Sequence, residues 1–366
     1  MNNPEPRAAV LKCNPYQQGK SELPDVATPI KLSSNEAPHA PSPQAVAAFT
    51  AAAAELNRYP DGTQTSLRNA IARTYGLNPN GIFCGNGSDE LMSLFFRTYV
   101  GPGDEILMPE GHFIMCPIYA NTQDADIVIA PDKNYTIDVD AMLARLTAKT
   151  RMVVIANPNP PGGTYLPDSE VRRLHAGIPS DVLFLIDSAY AEYVGRDDYD
   201  AGAKLVDEAQ NVVMTRTFSK MYALAALRVG WCYCPEEIAN LVHRIRSPFN
   251  VNSPALAAAE GALQDQDFVT RERARAAGWM KRIRETLTAQ GLSVVPSVAN
   301  FYLVDFGDVP DRSAAQAATY LEARGIIPRP VATHSTEDVL RITIGSDDEN
   351  EALLATLSEY LRDNAA

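Results

Sequence analysis

Residues 212–231 read VVMTRTFSKMYALAALRVGW. The apolar run Val212-Val213-Met214 is followed at once by the polar stretch Thr215 to Lys220, and Arg228 lies eight residues beyond Lys220, just ahead of a second apolar run opening at Gly230-Trp231. Short apolar runs bounded by polar residues predict strands of a sheet covered on both faces. A lysine close behind the hydroxyls of Thr217 and Ser219, with a guanidinium further on, suits a site that holds a phosphate and presents an amine. Lysine forms Schiff bases with aldehydes, while Thr217, Ser219 and Arg228 supply donors for a phosphate dianion. Taken alone, Ser219-Lys220 reads equally as a solvated loop.

The same pattern recurs along the chain. Ile82 to Cys84, Glu105 to Met108, Ile127 to Ala130, Met152 to Ala156, Val182 to Ile186 and Trp231 to Cys234 are further short apolar runs, set among helical stretches such as Pro43 to Leu56 and Thr65 to Tyr75. Seven runs alternating with helices predict an α/β fold around a mostly parallel seven-stranded sheet. Polar and glycine-rich segments follow several runs: GNGSDE at 85–90, ANPNPPGGTY at 156–165 and DSAY at 187–190. Open α/β sheets bind ligands at these strand ends. A helix opening after Gly87 offers backbone N–H groups to an anion, with Asp89 placed to cap its turn. Asp187, at the mouth of a buried strand, is placed to pair with a pyridinium nitrogen, and Tyr190 reaches the same ligand; a plain N-cap is the alternative for Asp187.

Composition narrows the classes. A net charge of −13 over 366 residues, with no basic cluster, argues against a nucleic-acid surface. With 46% apolar and 21% charged residues the composition is that of a globular protein without membrane spans. The five cysteines are odd in number and scattered, and no secretory signal is read at the N-terminus, which predicts a reduced, cytoplasmic setting. Cys232-Tyr-Cys234 sits in an apolar run and reads as strand rather than metal pair, and no metal is expected.

The domain organisation expected is an arm at 1–45 that also joins a small domain, a large ligand-binding domain at 46–250, and a small α+β domain at 251–366. The last begins within a helical region running from Pro235 through Leu287 and includes strand patterns at Asn300 to Asp305 and Leu340 to Ile344.

Together these segments resemble the histidinol-phosphate aminotransferase family, fold-type I pyridoxal-phosphate enzymes of the class II aminotransferases. The resemblance spans nearly the whole chain: PYQQGK (15–20), KLSSNEAP (31–38), NRYPDG (57–62), GNGSDEL (85–91), DSAYAEY (187–193), RTFSKMYALAALRVGW (216–231), SVANFYLVDF (297–306), GIIPRP (325–330) and LRITIG (340–345) stand in family order and spacing.

The resemblance implies a transaminase of histidine biosynthesis that converts L-histidinol phosphate and 2-oxoglutarate to imidazole acetol phosphate and glutamate, with pyridoxal 5′-phosphate as cofactor. It implies that Lys220 carries the cofactor as a Schiff base and acts as the base, that Asp187 keeps the pyridine nitrogen protonated, and that Tyr190 donates to the ring hydroxyl. Phe113 is expected to stack on the ring. Ser88, Asp89, Thr217, Ser219 and Arg228 are expected at the phosphate, together with Tyr59 from a second subunit of a homodimer. Arg341 and Arg329 are expected to clamp the anionic ends of the substrates, with Tyr16 and Asn35 also at the substrate.

Departures cluster in one loop. Where the family reads Asn-Pro-Asn-Asn-Pro-Thr-Gly, the asparagine that donates to the ring hydroxyl is here Pro160 and the threonine is Gly162. Proline has no donor, so the Schiff base is expected to titrate at a raised pKa unless Asn157 or Asn159 stands in. Ala226, where the family has glycine, predicts tighter packing near the phosphate. Ser188 replaces a common Glu, and Ala37, His39 and Ala40 alter the substrate entrance, where His39 and His112 read as loop histidines. These changes motivate an alternative expectation, a related pyridoxal-phosphate enzyme with another amino donor or reaction: transamination, decarboxylation or carbon–carbon bond formation.

Overall fold

The computed structural model describes residues 4–307, 312–333 and 336–363. Its centre is a seven-stranded sheet in the order Ile82–Gly85, Gly230–Tyr233, Val212–Thr217, Leu183–Asp187, Thr150–Ala156, Glu105–Pro109 and Asp126–Ala130. Six strands run parallel, and Gly230–Tyr233 is antiparallel to both of its neighbours. The predicted runs correspond to these strands one for one.

Alternation along each strand splits the side chains between two cores, as expected of a sheet buried on both faces. Val153, Ile155, Phe184, Ile186, Val212 and Met214 join the core that includes the helices Thr65–Tyr75, Asp168–Gly177 and Ser253–Leu263. Met152, Val154, Leu183, Leu185 and Val213 join the other, under Ser88–Tyr99, Cys116–Thr122 and Glu236–His243.

The expected helical region from Pro235 through Leu287 comprises three helices, Glu236–His243, Ser253–Leu263 and Gln266–Ala289. Asn252 and Asp265 cap the second and third through their side chains, which is the local reason for the breaks. Downstream, a four-stranded antiparallel sheet holds Phe301–Asp305 against Thr336–Thr343 and that strand against Arg329–Thr333. The N-terminal arm reaches this region, because Ile30–Lys31 pairs in parallel with Ile326–Ile327. Arg341 and Asn35 are thereby carried to the C-terminal ends of the large sheet's strands.

Candidate active site

Those strand ends open into one cavity of about 700 Å³. Lys220, Asp187 and Tyr190 border it, as do Ser88 and Asp89 at the start of the Ser88–Tyr99 helix and Phe113 in the loop after Glu105–Pro109. Thr217, Ser219 and Arg228 stand at one end, and Arg329, Arg341, Tyr16 and Asn35 also border it. Tyr59 does not: it is 84% exposed and stacks on Phe249 at 4.8 Å between ring centroids.

At the polar end, Gly230 pairs with both Gly85 and Thr217. A Cβ at Gly230 would lie 2.4 Å from the Ser88 backbone nitrogen, so glycine lets the helix start approach the sheet. Ser219 Oγ accepts from Thr217 Oγ1 at 3.0 Å and from Arg228 Nη1 at 3.3 Å. The Ser88–Tyr99 helix thus opens beside two hydroxyls and a guanidinium, a donor set matched to a phosphate dianion. Asp89 does not cap this helix. Its carboxylate accepts from the Tyr119 hydroxyl, while Glu90 accepts the Asn86 N–H at 2.5 Å. Ala226 is exposed, so the tighter packing expected there is absent.

Deeper in, Asp187 ends its strand beside Thr215, whose hydroxyl donates to it at 3.0 Å. Burial pushes the Asp187 carboxyl up to about 6, against the opposing pull of that hydrogen bond and of Lys220. A buried carboxylate at the cavity floor is a fitting partner for a protonated ring nitrogen. Lys220 Nζ lies 3.4 Å from the Ser34 carbonyl oxygen and 5.6 Å from the Tyr190 ring centroid, and no carboxylate pairs with it among the described residues. An amine unclaimed by any acid, a carboxylate below it and a phosphate cradle at one end fit pyridoxal 5′-phosphate.

The rebuilt loop takes definite shape. Pro160 and Pro161 border the cavity, but neither Asn157 nor Asn159 stands in for the lost donor. The Asn157 amide spans its own loop, donating to Leu166 O at 3.0 Å and accepting from Leu166 N at 2.9 Å. Asn159 donates away from the cavity to Asp132 at 3.3 Å. A Cβ at Gly162 would meet the Tyr135 Cβ at 2.9 Å, so glycine there fits the neighbouring hairpin. That hairpin, Asp132–Lys133 with Thr136–Ile137, turns through Asn134 and Tyr135, both with positive φ.

Sequence reading missed several groups. Glu36 and Glu110 also border the cavity; of the two loop histidines named from the sequence, His112 borders it too, whereas His39 faces Glu272 at 3.6 Å. Behind the site, Arg216 pairs with Glu192 at 2.7 Å and lies 4.3 Å from the Tyr75 ring centroid. The alternation Thr215-Arg216-Thr217 was the available signal: if the threonines face the site, Arg216 points through the sheet.

A seven-stranded sheet of this order with a lysine, a buried aspartate and a phosphate cradle at its strand ends defines a fold-type I aminotransferase. Residues 27–357 match the model of the class I and II aminotransferases, and the chain belongs to that family. It is 45% identical over 362 residues to a histidinol-phosphate aminotransferase of Rhodopseudomonas palustris strain HaA2, covering 99% of each chain. Among solved structures it resembles histidinol-phosphate aminotransferase from Sinorhizobium meliloti in complex with pyridoxal 5′-phosphate, with 29% identity, a TM-score of 0.87, and 92% and 91% of the two chains covered. Aspartate aminotransferase from Thermus thermophilus shares the fold at 21% identity and a TM-score of 0.79, with 91% of each chain covered.

Proposed function

We propose that this protein is a pyridoxal-phosphate transaminase that moves the amino group of L-histidinol phosphate to 2-oxoglutarate, giving imidazole acetol phosphate and glutamate. The observation that carries the reading is one cavity shared by Lys220, Asp187 and the arginine pair Arg329 and Arg341. Full-length similarity to enzymes of that name supports it.

In this reading Ser88, Thr217, Ser219 and Arg228 hold the cofactor phosphate, with Asp89 at the same helix start. Phe113 covers the ring face and limits water there. Asp187, oriented by Thr215, holds the ring nitrogen's proton, and Tyr190 donates to the ring oxygen. When bound, the cofactor supplies a conjugated ring that accepts the electron pair released at the donor's α-carbon. Lys220 Nζ would take the proton from that carbon and deliver it to the cofactor's aldehyde carbon, so that the donor leaves as a ketone and the amino group stays behind for the acceptor. Arg341 and Arg329 bind the donor's phosphate and then the acceptor's carboxylates in alternate half-cycles, and Tyr16 lies at the entrance.

The reading includes a homodimer in which Tyr59 completes the neighbour's phosphate site, supported by its exposure and that of Leu11, Leu56 and Phe249. It also includes the domain division 1–45, 46–250 and 251–366, and a cytoplasmic setting, for which five unpaired cysteines speak. Among the described residues no helix is long and apolar enough to cross a membrane. Steady-state assays with 2-oxoglutarate and a panel of amino donors test the proposal. Histidinol phosphate should give a kcat/KM at least tenfold above any common amino acid, and preference for another donor would overturn it.

A further inference from the structure

With Pro160 in place of a side-chain donor and Asn157 and Asn159 both committed elsewhere, the ring oxygen of a bound cofactor would rely on Tyr190 alone. Tyr190 is not left to orient itself. Asn35 Nδ2 donates to the Tyr190 hydroxyl oxygen at 2.9 Å, and both residues are buried.

The direction of that bond is fixed by the next residue out. The Asn35 backbone N–H donates to Thr343 Oγ1 at 2.9 Å, which uses a lone pair of the threonine oxygen and leaves its own proton to be donated. Thr343 Oγ1 then donates to Asn35 Oδ1 at 3.4 Å. The amide oxygen therefore faces Thr343 and the amide nitrogen faces Tyr190. Asn35 holds φ of +53°, a left-handed conformation that asparagine tolerates better than most residues, and Asn300 Nδ2 anchors its carbonyl at 3.1 Å. Because the Tyr190 oxygen already accepts a proton from Asn35, its own O–H is left to donate, and among the described contacts it donates to no protein group. It is free for a ligand in the cavity that both residues border.

We infer that Thr343, Asn35 and Tyr190 form a one-way hydrogen-bond relay that delivers the Tyr190 proton to the cofactor's ring oxygen and takes over part of the role of the donor missing at Pro160. Asn35 is thereby a positioning residue, acting through Tyr190 and not through the substrate. The inference rests on the pyridoxal-phosphate reading. Chained hydrogen bonds polarise one another, so each member strengthens the terminal donor. A less stabilised ring oxygen holds the proton it shares with the Schiff-base nitrogen more tightly.

The test is a pH titration of the visible absorption of cofactor-loaded enzyme, with thermal stability recorded beside it. Asn35→Ala should raise the apparent pKa of the bound cofactor by about one unit, and Thr343→Val by a smaller amount in the same direction. Asn35→Asp, an acceptor where a donor is needed, should raise it at least as far as Asn35→Ala. In a Tyr190→Phe background Asn35→Ala should add no further shift, and Pro160→Asn added to Asn35→Ala should bring the value back down. A purely structural role for Asn35 would lower thermal stability and leave the titration in place, and that result, or an undiminished shift in the Tyr190→Phe background, overturns the relay. Failure of the wild-type protein to bind pyridoxal phosphate at all would instead overturn the reading beneath it.

Discussion

Arg329 and Arg341 stand directly opposite each other on neighbouring antiparallel strands, and both border the cavity. Like charges opposed across a pair of strands cost stability, roughly 0.2–1 kcal/mol. Arg341 is in addition largely buried, and its Nε has no partner among the described residues. Burial lowers the proton affinity of its guanidinium, and Arg329 lowers it further. A fold that keeps such a pair has an anion to place between them. Arg341→Ala should therefore cut kcat/KM for an anionic donor by about 100- to 1,000-fold, the cost of removing one partner of a desolvated charge pair. Arg329→Ala, nearer solvent, should act mainly on KM and leave unfolding of the ligand-free protein unchanged or slightly slower.

Asp187 exchanges stability for function. Its folded-state value of about 6 lies above the ordinary 3.8, so its contribution is fully favourable below pH 3.8 and is lost as pH rises through 6. The shift of about two units corresponds to at most about 3 kcal/mol at neutral pH. Asp187→Asn should stabilise the cofactor-free protein at pH 8 but not at pH 4, while lowering kcat by 100-fold or more. Denaturant unfolding at both pH values checks this, and equal effects at the two would refute it.

Pro160→Asn should restore a donor to the ring oxygen. The apparent pKa of the bound cofactor should fall by about one unit, since a hydrogen bond to a charged oxygen is worth roughly 1.5–3 kcal/mol before competition from the Tyr190 donor. Gly162→Thr is a separate matter. Its new Cβ would stand 2.9 Å from the Tyr135 Cβ, so the substitution should cost about 1–3 kcal/mol in thermal or denaturant unfolding without moving the titration.

Tyr59 does not border the site cavity of its own chain. If it serves a neighbour, Tyr59→Phe should weaken cofactor binding several-fold, and mixed dimers of Lys220→Ala with Tyr59→Phe chains should regain one competent site. Sedimentation as a monomer that keeps its cofactor and full turnover would contradict the dimer.

The strands were legible because parallel strands buried on both faces must be continuously apolar, as Val212-Val213-Met214 and Met152 to Ala156 are. The residues gathered after them were legible through the order and spacing of the family motifs, since the lysine, the aspartate and the clustered hydroxyls each have a commonplace alternative taken alone. The helix breaks at Asn252 and Asp265 were missed because alanine-rich and charged stretches keep helical periodicity across a cap. The roles of Asn157 and Asp89 were illegible for a different reason: each is decided by a partner remote in sequence or across a turn, Leu166 and Tyr119, and no local pattern encodes that pairing. The same holds for Asn35, whose partners Tyr190 and Thr343 lie 155 and 308 residues away.

The most direct test is a half-reaction. Pyridoxal-phosphate-loaded enzyme, mixed with L-histidinol phosphate alone, should lose the absorption of the aldehyde form and gain that of the amine form, then recover the first on addition of 2-oxoglutarate, with Lys220→Ala doing neither. A spectrum that stalls part-way, or does not change although cofactor is bound, would contradict the transaminase assigned here.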